Sequence, residues 1–314
     1  AGALVSSVLA KQVSGPVRKL AEAAKVIGAG GFSHRVRVES QDEVGMLAES
    51  FNKMADSLET YTAELAQTTA EKEVLGREMD IAAEIQRSLL PESCPQVRGF
   101  EIAAESVPAR EVGGDFYDFI PLSEGRWGVV VADASGKGVP AALLMALSRS
   151  LLRAYSQDKP SILSALEHVN KFMLDNVGPG MFVTCFYAVL DPRRKVLRYV
   201  NAGHNPVVVA RAEGQVSTLR ATGTPLGVLE QPGVVEETCE LASGDLVLMY
   251  TDGITEAVDA YDEQFGVERL AEIAKNSGTL AASEISGRLL TAVRTFAAGQ
   301  PQFDDMTTVV IRVL

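Results

Sequence analysis

The chain has 314 residues, 46% of them apolar and 22% charged, enough for one large domain or two to three smaller ones. Its 29 Lys and Arg against 41 Asp and Glu leave a net charge of −12, which argues against nucleic acid as the main partner, because such proteins carry a basic face. The three cysteines, Cys94, Cys185 and Cys239, are far apart with no C-x-x-C pair, so they suggest neither a disulfide framework nor a zinc site and favour a reducing compartment.

In chain order, "AGALVSSVLA" opens on an apolar run about half as long as a bilayer requires. The expectation is a transmembrane helix ahead of Ala1, with this chain as the cytoplasmic portion of an inner-membrane protein. Residues 1–92 otherwise read as helix, broken near "GAGGFSHRVRV". "SGPVRKLAEAAKVIGAGGF" puts Pro16 where a first helical turn accepts it, carries Val17, Leu20 and Ala24 as an apolar stripe, and stops at Gly28–Gly31. A second helix starts behind Ser40 and Asp42. On it Leu47, Phe51, Met54, Leu58, Tyr61 and Leu65 recur at steps of four and three, the spacing of a coiled-coil seam. Thr68 and Lys72 then occupy seam positions with polar groups, and the stripe resumes at Leu75 and Met79 and drifts to Ile81, Ile85 and Leu89, a shift of register able to act as a switch. A stripe this narrow on short helices cannot be buried by one chain, which favours dimerisation.

From about residue 98 strands and helices alternate. "RWGVVVAD", "MFVTCFYAVL", "KVLRYVNAG", "NPVVVAR", "VVEETCEL", "DLVLMYTD" and "MTTVVIRVL" read as strands, with Asp191 and Pro192 turning a hairpin. "VPAALLMALSRSLLRAYS", "SILSALEHVNKFML", "GVERLAEIAKN" and "AASEISGRLLTAVRTFA" read as helices, in pairs between groups of strands. That grouping predicts an α+β fold of antiparallel sheets with helices outside rather than a doubly wound parallel sheet.

The chemistry concentrates in acidic residues. Asp115 follows two glycines in "REVGGDFYDFIPL"; Asp133 ends one apolar strand, Asp252 another, and Asp304 with Asp305 precedes a third. A carboxylate at the end of a buried strand is costly to desolvate unless something positive faces it. Arg110 and Lys137 are among the few cations nearby in sequence, so divalent ions are the economical compensation. Oxygen donors without His or Cys select Mg2+ or Mn2+.

"GGDFYD", "VADASGKGVPAALLM", "YTDGITEA" and "DDMTTVV", in that order, resemble the signature blocks of metal-dependent type 2C (PPM) serine/threonine phosphatases, in their SpoIIE-like bacterial branch, to which "EIQRSLLP" and "NAGHNP" are also similar. Pro16, "DEVG" and "FNKM" resemble a HAMP domain. Together they imply a HAMP domain over residues 1–60, a coiled-coil linker over 61–97 and a phosphatase domain of αββα layers over 98–314. The resemblance further implies that Asp115 and Asp133 bind two or more Mn2+ or Mg2+ ions and serve catalysis, with Asp133 bridging and Ala134 offering its carbonyl. Asp252 and Asp304 complete the set; Asp304 is preferred to Asp305 because it stands three residues before a Thr. Arg110, five residues ahead of Asp115, falls where the family places a phosphate-binding arginine. Asp118, three residues along a strand from Asp115, is expected to face the other way. His204 is a candidate for protonating a leaving group, although a His between Gly and Asn more often packs or caps a loop, and "GTPLGV" at 223–228 is expected to be a mobile gate. The implied substrate is a phosphoserine or phosphothreonine protein, most plausibly a STAS-type anti-anti-sigma factor, and the implied assembly is a homodimer through HAMP and linker. Diguanylate cyclase is excluded by Phe116 and Tyr117, a P-loop by Val131 and a histidine kinase by the lack of a His on a helix directly after the coiled coil; a catalytically silent pseudophosphatase is the remaining alternative.

Overall fold

The computed structural model describes residues 2–37, 39, 42–158 and 161–314, which divide into two units, 1–78 and 79–314. In the first unit, α1 (Gly2–Gly28) and the opening of α2 (Glu43–Leu89) are joined by a connector. Pro16 lies inside α1 and not in its first turn, because the residues before it are also helical; its ring removes one backbone donor, which costs the helix a hydrogen bond without ending it. Of the two residues expected ahead of α2, Asp42 caps it, its Oδ1 accepting from the N–H groups of Val44 and Gly45 at 3.0 and 3.3 Å, while Ser40 lies outside the described residues. Leu20, Ala23, Val36 and Ala48 form a small core with Phe51 against it. The connector is fastened by Asn52, whose amide donates to the Val36 carbonyl at 2.9 Å and accepts from the Val36 N–H at 2.8 Å. Arg35 adds ion pairs to Asp56 and Glu59, both at 2.6 Å.

α2 continues for 47 residues, passing through Thr68 and Lys72 unbroken. Leu47, Met54, Tyr61, Leu65 and Leu75 stand exposed along it. Among the described residues no helix is long and apolar enough to cross a membrane.

The second unit is a four-layer α+β sandwich. One sheet has strand order β2 (Asp115–Pro121), β3 (Trp127–Ala134), β4 (Val183–Asp191), β5 (Val196–Ala202) and β8 (Glu237–Glu240). The other runs β1 (Phe100–Val107), β10 (Met306–Val313), β9 (Leu246–Tyr250), β6 (Val207–Ala210) and β7 (Val216–Leu219), and every pairing in both sheets is antiparallel. Alternation along each strand sorts side chains between layers. On β3, Val129 and Val131 enter the core between the sheets, whereas Val130 and Ala132 pack under α3 (Val139–Asp158) and α4 (Ile162–Asn176). The second sheet buries its outer face beneath α6 (Gly266–Lys275) and α7 (Ala282–Ala297). The hairpin at Asp191 forms as read, its carboxylate accepting from the N–H groups of Arg193 and Arg194. β1 and β7, absent from the sequence reading, are both outer strands.

Candidate functional site

Four strand ends supply the acidic side chains. Asp115 begins β2 and Asp133 lies near the end of β3; the register pairs them directly, so both carboxylates share the face turned toward the other sheet. Asp252 opens the short helix α5 (Asp252–Thr255) straight after β9, and Asp304 immediately precedes Asp305 at the entry to β10. β9 and β10 are neighbours in their sheet, which is why segments far apart in the chain end side by side.

Asp115 is buried, and Thr251 donates to its Oδ2 at 2.6 Å while accepting from the Thr307 N–H at 2.9 Å, so the carboxylate is oriented by two residues of the opposite sheet. Burial, then the charge of Asp133, pushes the Asp115 carboxyl well above the usual range, with the Thr251 hydroxyl working against the shift. Asp133 is pushed up to about 7, by burial first and then by Asp252, Asp304 and Asp305. Asp252 is pushed up to about 6, by burial first and then by Asp304 and Glu256, with the Gly253 N–H and Lys137 opposing. Asp133 is thus the point on which the negative charges bear. Lys137 is the cation that answers them: its Nζ pairs with Asp304 at 2.8 Å, donates to the Phe303 carbonyl at 2.7 Å and lies over the Phe303 ring.

Among the described residues, no three His, Cys, Asp or Glu side chains are grouped closely enough to hold a metal ion as they stand. The donor chemistry nonetheless fits a hard divalent cation. It consists of carboxylate and carbonyl oxygens, and their mutual repulsion is what a cation would relieve. Gly114 keeps the place open, since a Cβ there would stand 2.7 Å from the Ala134 carbonyl oxygen and 3.4 Å from Asp133 Oδ1. Asp115, Asp133, Asp252, Asp304 and the Ala134 carbonyl are the groups that would hold such ions. Arg110 is exposed on the loop before β2, its guanidinium 3.9 Å from where a Cβ on Gly138 would lie. Five N–H donors in a fixed fork suit an oxyanion there.

Asp305, next to the preferred Asp304, has a different task. Its Oδ1 accepts from the Ala109 N–H and its Oδ2 from the Gly114 N–H, both at 2.7 Å, which latches the loop carrying Arg110 to the entry of β10. Asp118 faces away from the site, under α3, where Arg149 and Arg153 reach its Oδ1 at 3.2 and 2.8 Å. His204 is buried with Nδ1 2.8 Å from Thr184 Oγ1, and burial drops its pKa to about 4. It is therefore neutral near pH 7 and unsuited to donate a proton to a leaving group. The expected gate at 223–228 is fastened instead: Leu226 is fully buried and exchanges both backbone hydrogen bonds with Val183, and Gly227 donates to Asn170 at 2.8 Å. The sequence names Asp305 only as the alternative ligand to Asp304, and it does not single out Thr251 or Gln86 at all. Thr251 lies within "YTDGITEA" and Gln86 within "EIQRSLLP", so both stand in segments the sequence marks out.

Comparison with known proteins supplies the family. The model for stage II sporulation protein E (SpoIIE) matches residues 123–314 and that for the HAMP domain residues 8–60. The chain is 30% identical to Protein IcfG of Synechocystis over 94% of its own length and 51% of that protein's. It is 32% identical to the phosphoserine phosphatase RsbU of Bacillus subtilis over 57% of its length and 53% of RsbU. The chain thus spans about half the length of these curated relatives. In fold it is similar to the SiaA-PP2C domain of Pseudomonas aeruginosa, with a TM-score of 0.68, 22% identity, and coverage of 78% of this chain and 99% of that one. An αββα sandwich with acidic strand ends, behind a HAMP domain, belongs to the SpoIIE family.

Proposed function

We propose that the chain is a metal-dependent phosphoserine and phosphothreonine protein phosphatase. The observation that carries this reading is the meeting of acidic strand ends: Asp115 and Asp133 pair in register on β2 and β3, Asp252 and Asp304 flank the neighbouring strands β9 and β10, and Thr251 beside Asp252 bonds the Asp115 carboxylate. Bound Mn2+ or Mg2+ would supply an activated water and neutralise charge on the phosphoryl group. The chain's own residues do the rest. Asp115, aimed by Thr251, and Asp133 would hold the ions together with Asp252, Asp304 and the Ala134 carbonyl; Lys137 neutralises Asp304, and Arg110 would take a phosphoryl oxygen in its fork. The similarity to RsbU, a phosphoserine phosphatase, supports a phosphoserine protein substrate, and the substrate we expect is a phosphorylated STAS-type anti-anti-sigma factor.

The exposed seam on α2 supports a parallel homodimer through HAMP and linker, and the HAMP domain supports control from a sensor held at the inner membrane. Because α2 belongs to both units, a change in how two linkers pack reaches the start of the second unit along one helix.

Hydrolysis of p-nitrophenyl phosphate with and without Mn2+ tests the catalytic reading. The parent should turn over only with the metal, and Asp133→Asn should lose at least about a thousandfold, on the order of 4 kcal/mol in the barrier. Full activity in Asp133→Asn, or in the presence of a chelator, rejects it.

A further inference from the structure

The loop that delivers Asp115 is gripped from a second direction. Gln86, near the end of α2, accepts from the Gly113 N–H at 3.0 Å through Oε1 and donates through Nε2 to the Gly113 carbonyl at 2.6 Å. One side-chain amide thereby satisfies both polar groups of one main-chain residue in a part-buried place, where either left alone would be costly. Ala83, three residues before Gln86, is buried and Leu90, four after, packs on the core beneath α3, so Gln86 sits on the face by which this helix end docks.

Residues 108–114 have no regular secondary structure; the Ala134 N–H at the end of β3 donates to the Gly114 carbonyl at 3.2 Å, and side chains supply the rest of their hold. Their place depends on Gln86 at Gly113 and on Asp305 at Ala109 and Gly114. A Cβ at position 113 would stand 2.4 Å from Asp305 Oδ2, so a larger residue there would have to displace that carboxylate. A cavity of about 90 Å3, lined by Gln86, Gly113, Asp115, Met145 and Asp305 among others, leaves the loop room to shift if one grip is lost.

We propose that Gln86 is a positioning residue: by holding Gly113 it sets where Asp115 presents its carboxylate, so the end of α2 fixes the affinity of the site for its divalent ions. This rests on the metal-dependent reading above. It assigns to Gln86 a task that Asp305 shares, and Gln86 performs it from α2.

The test is calorimetric titration of the full chain with Mn2+, for the parent, Gln86→Met and Gln86→Ala, with hydrogen exchange at Gly113 and Gly114 followed in parallel. Met preserves bulk without hydrogen bonds and Ala is the best helix former, so neither should disturb the helix. Both variants should bind Mn2+ about tenfold more weakly, which corresponds to about 1.4 kcal/mol. Both should exchange faster at Gly113, and both should regain a turnover number close to the parent's at saturating Mn2+. Parental Mn2+ affinity in both variants overturns the proposal, as does loss in Gln86→Ala alone, which would make the effect one of packing. A parent that binds no Mn2+ overturns the metal-dependent reading itself, a result distinct from either.

Discussion

The same device appears twice on α2, and its settings differ. Asn52 grips the Val36 main chain in both directions within the first unit, and Gln86 grips Gly113 in the same manner within the second. Around Gln86 lies a domain sealed by three apolar clusters, two inside its helix layers and one between its sheets. Around Asn52 the core amounts to Leu20, Ala23, Val36 and Ala48 with Phe51, while Met54, Tyr61 and Leu65 further along the helix remain in solvent. A sealed domain can be stable as one chain. A unit that leaves its stripe uncovered has too little apolar burial of its own to offset the ordering of long helices.

The largest expected effect therefore lies in the open unit. Tyr61→Glu with Leu65→Glu removes four apolar side chains from the proposed two-chain seam, each contributing about 1.5–3 kcal/mol when buried. Dimer dissociation should rise by more than about a thousandfold. Light scattering should then report monomers, while the thermal transition of residues 79–314 stays where it was. The reverse change, Thr68→Leu with Lys72→Leu, completes the stripe and should tighten the dimer and alter both hydrolysis and Mn2+ affinity. A dimer as stable with Glu at both positions would mean the two units do not differ in the way their burial suggests.

The next effect belongs to the sealed unit. His204 has its pKa depressed to about 4 by burial, from an ordinary value of about 6.5, so the folded state binds its proton less readily than the unfolded chain. Its contribution is fully present above about pH 6.5 and is lost as pH falls toward 4, for a total of about 3 kcal/mol. The raised carboxyls Asp133 and Asp252 act with the opposite sign, favouring the folded state as they take up protons. The quantity to measure is thus the difference in urea stability between parent and His204→Gln across pH 4.5–7.5. That difference should shrink or reverse toward acid; a constant difference would show that His204 is already protonated in the fold or equally free in both states.

The contrast between sealed and open also explains what the sequence discloses. Seven strands and four helices of the second unit are readable because a central strand such as β3, apolar on both faces, leaves an unbroken run. β1 and β7 are missed because an edge strand has one neighbour and a partly wet face: "FEIAAESV" carries two glutamates, and "VSTL" is four residues long. The acidic positions stand out for the same reason as β3, since each interrupts an apolar run. The fastenings do not. Asp305 binds main-chain N–H groups nearly two hundred residues away, and Gln86 binds a glycine 27 positions on; a main-chain partner has no side-chain identity to recognise in a sequence. The sequence leaves open a catalytic role for His204 beside the commoner one of packing or capping, and a gating role for 223–228, because polar and turn-forming residues look alike whether they serve a reaction or a tightly bonded corner.

The smallest effect tests whether the two grips are equivalent. Asn52→Ala removes two hydrogen bonds and leaves the Val36 N–H and carbonyl to water, for which about 1–2 kcal/mol is expected. In a part-buried connector already held by the Arg35 ion pairs, that loss should appear as faster hydrogen exchange at Val36 and a lower transition for the first unit. It should leave Mn2+ affinity untouched, because Asn52 fastens a connector and no ligand loop. If Asn52→Ala weakened Mn2+ binding as much as Gln86→Ala, the grip at Gly113 would have no privileged relation to the carboxylates, and the site's affinity would have to depend on the stability of the whole of α2.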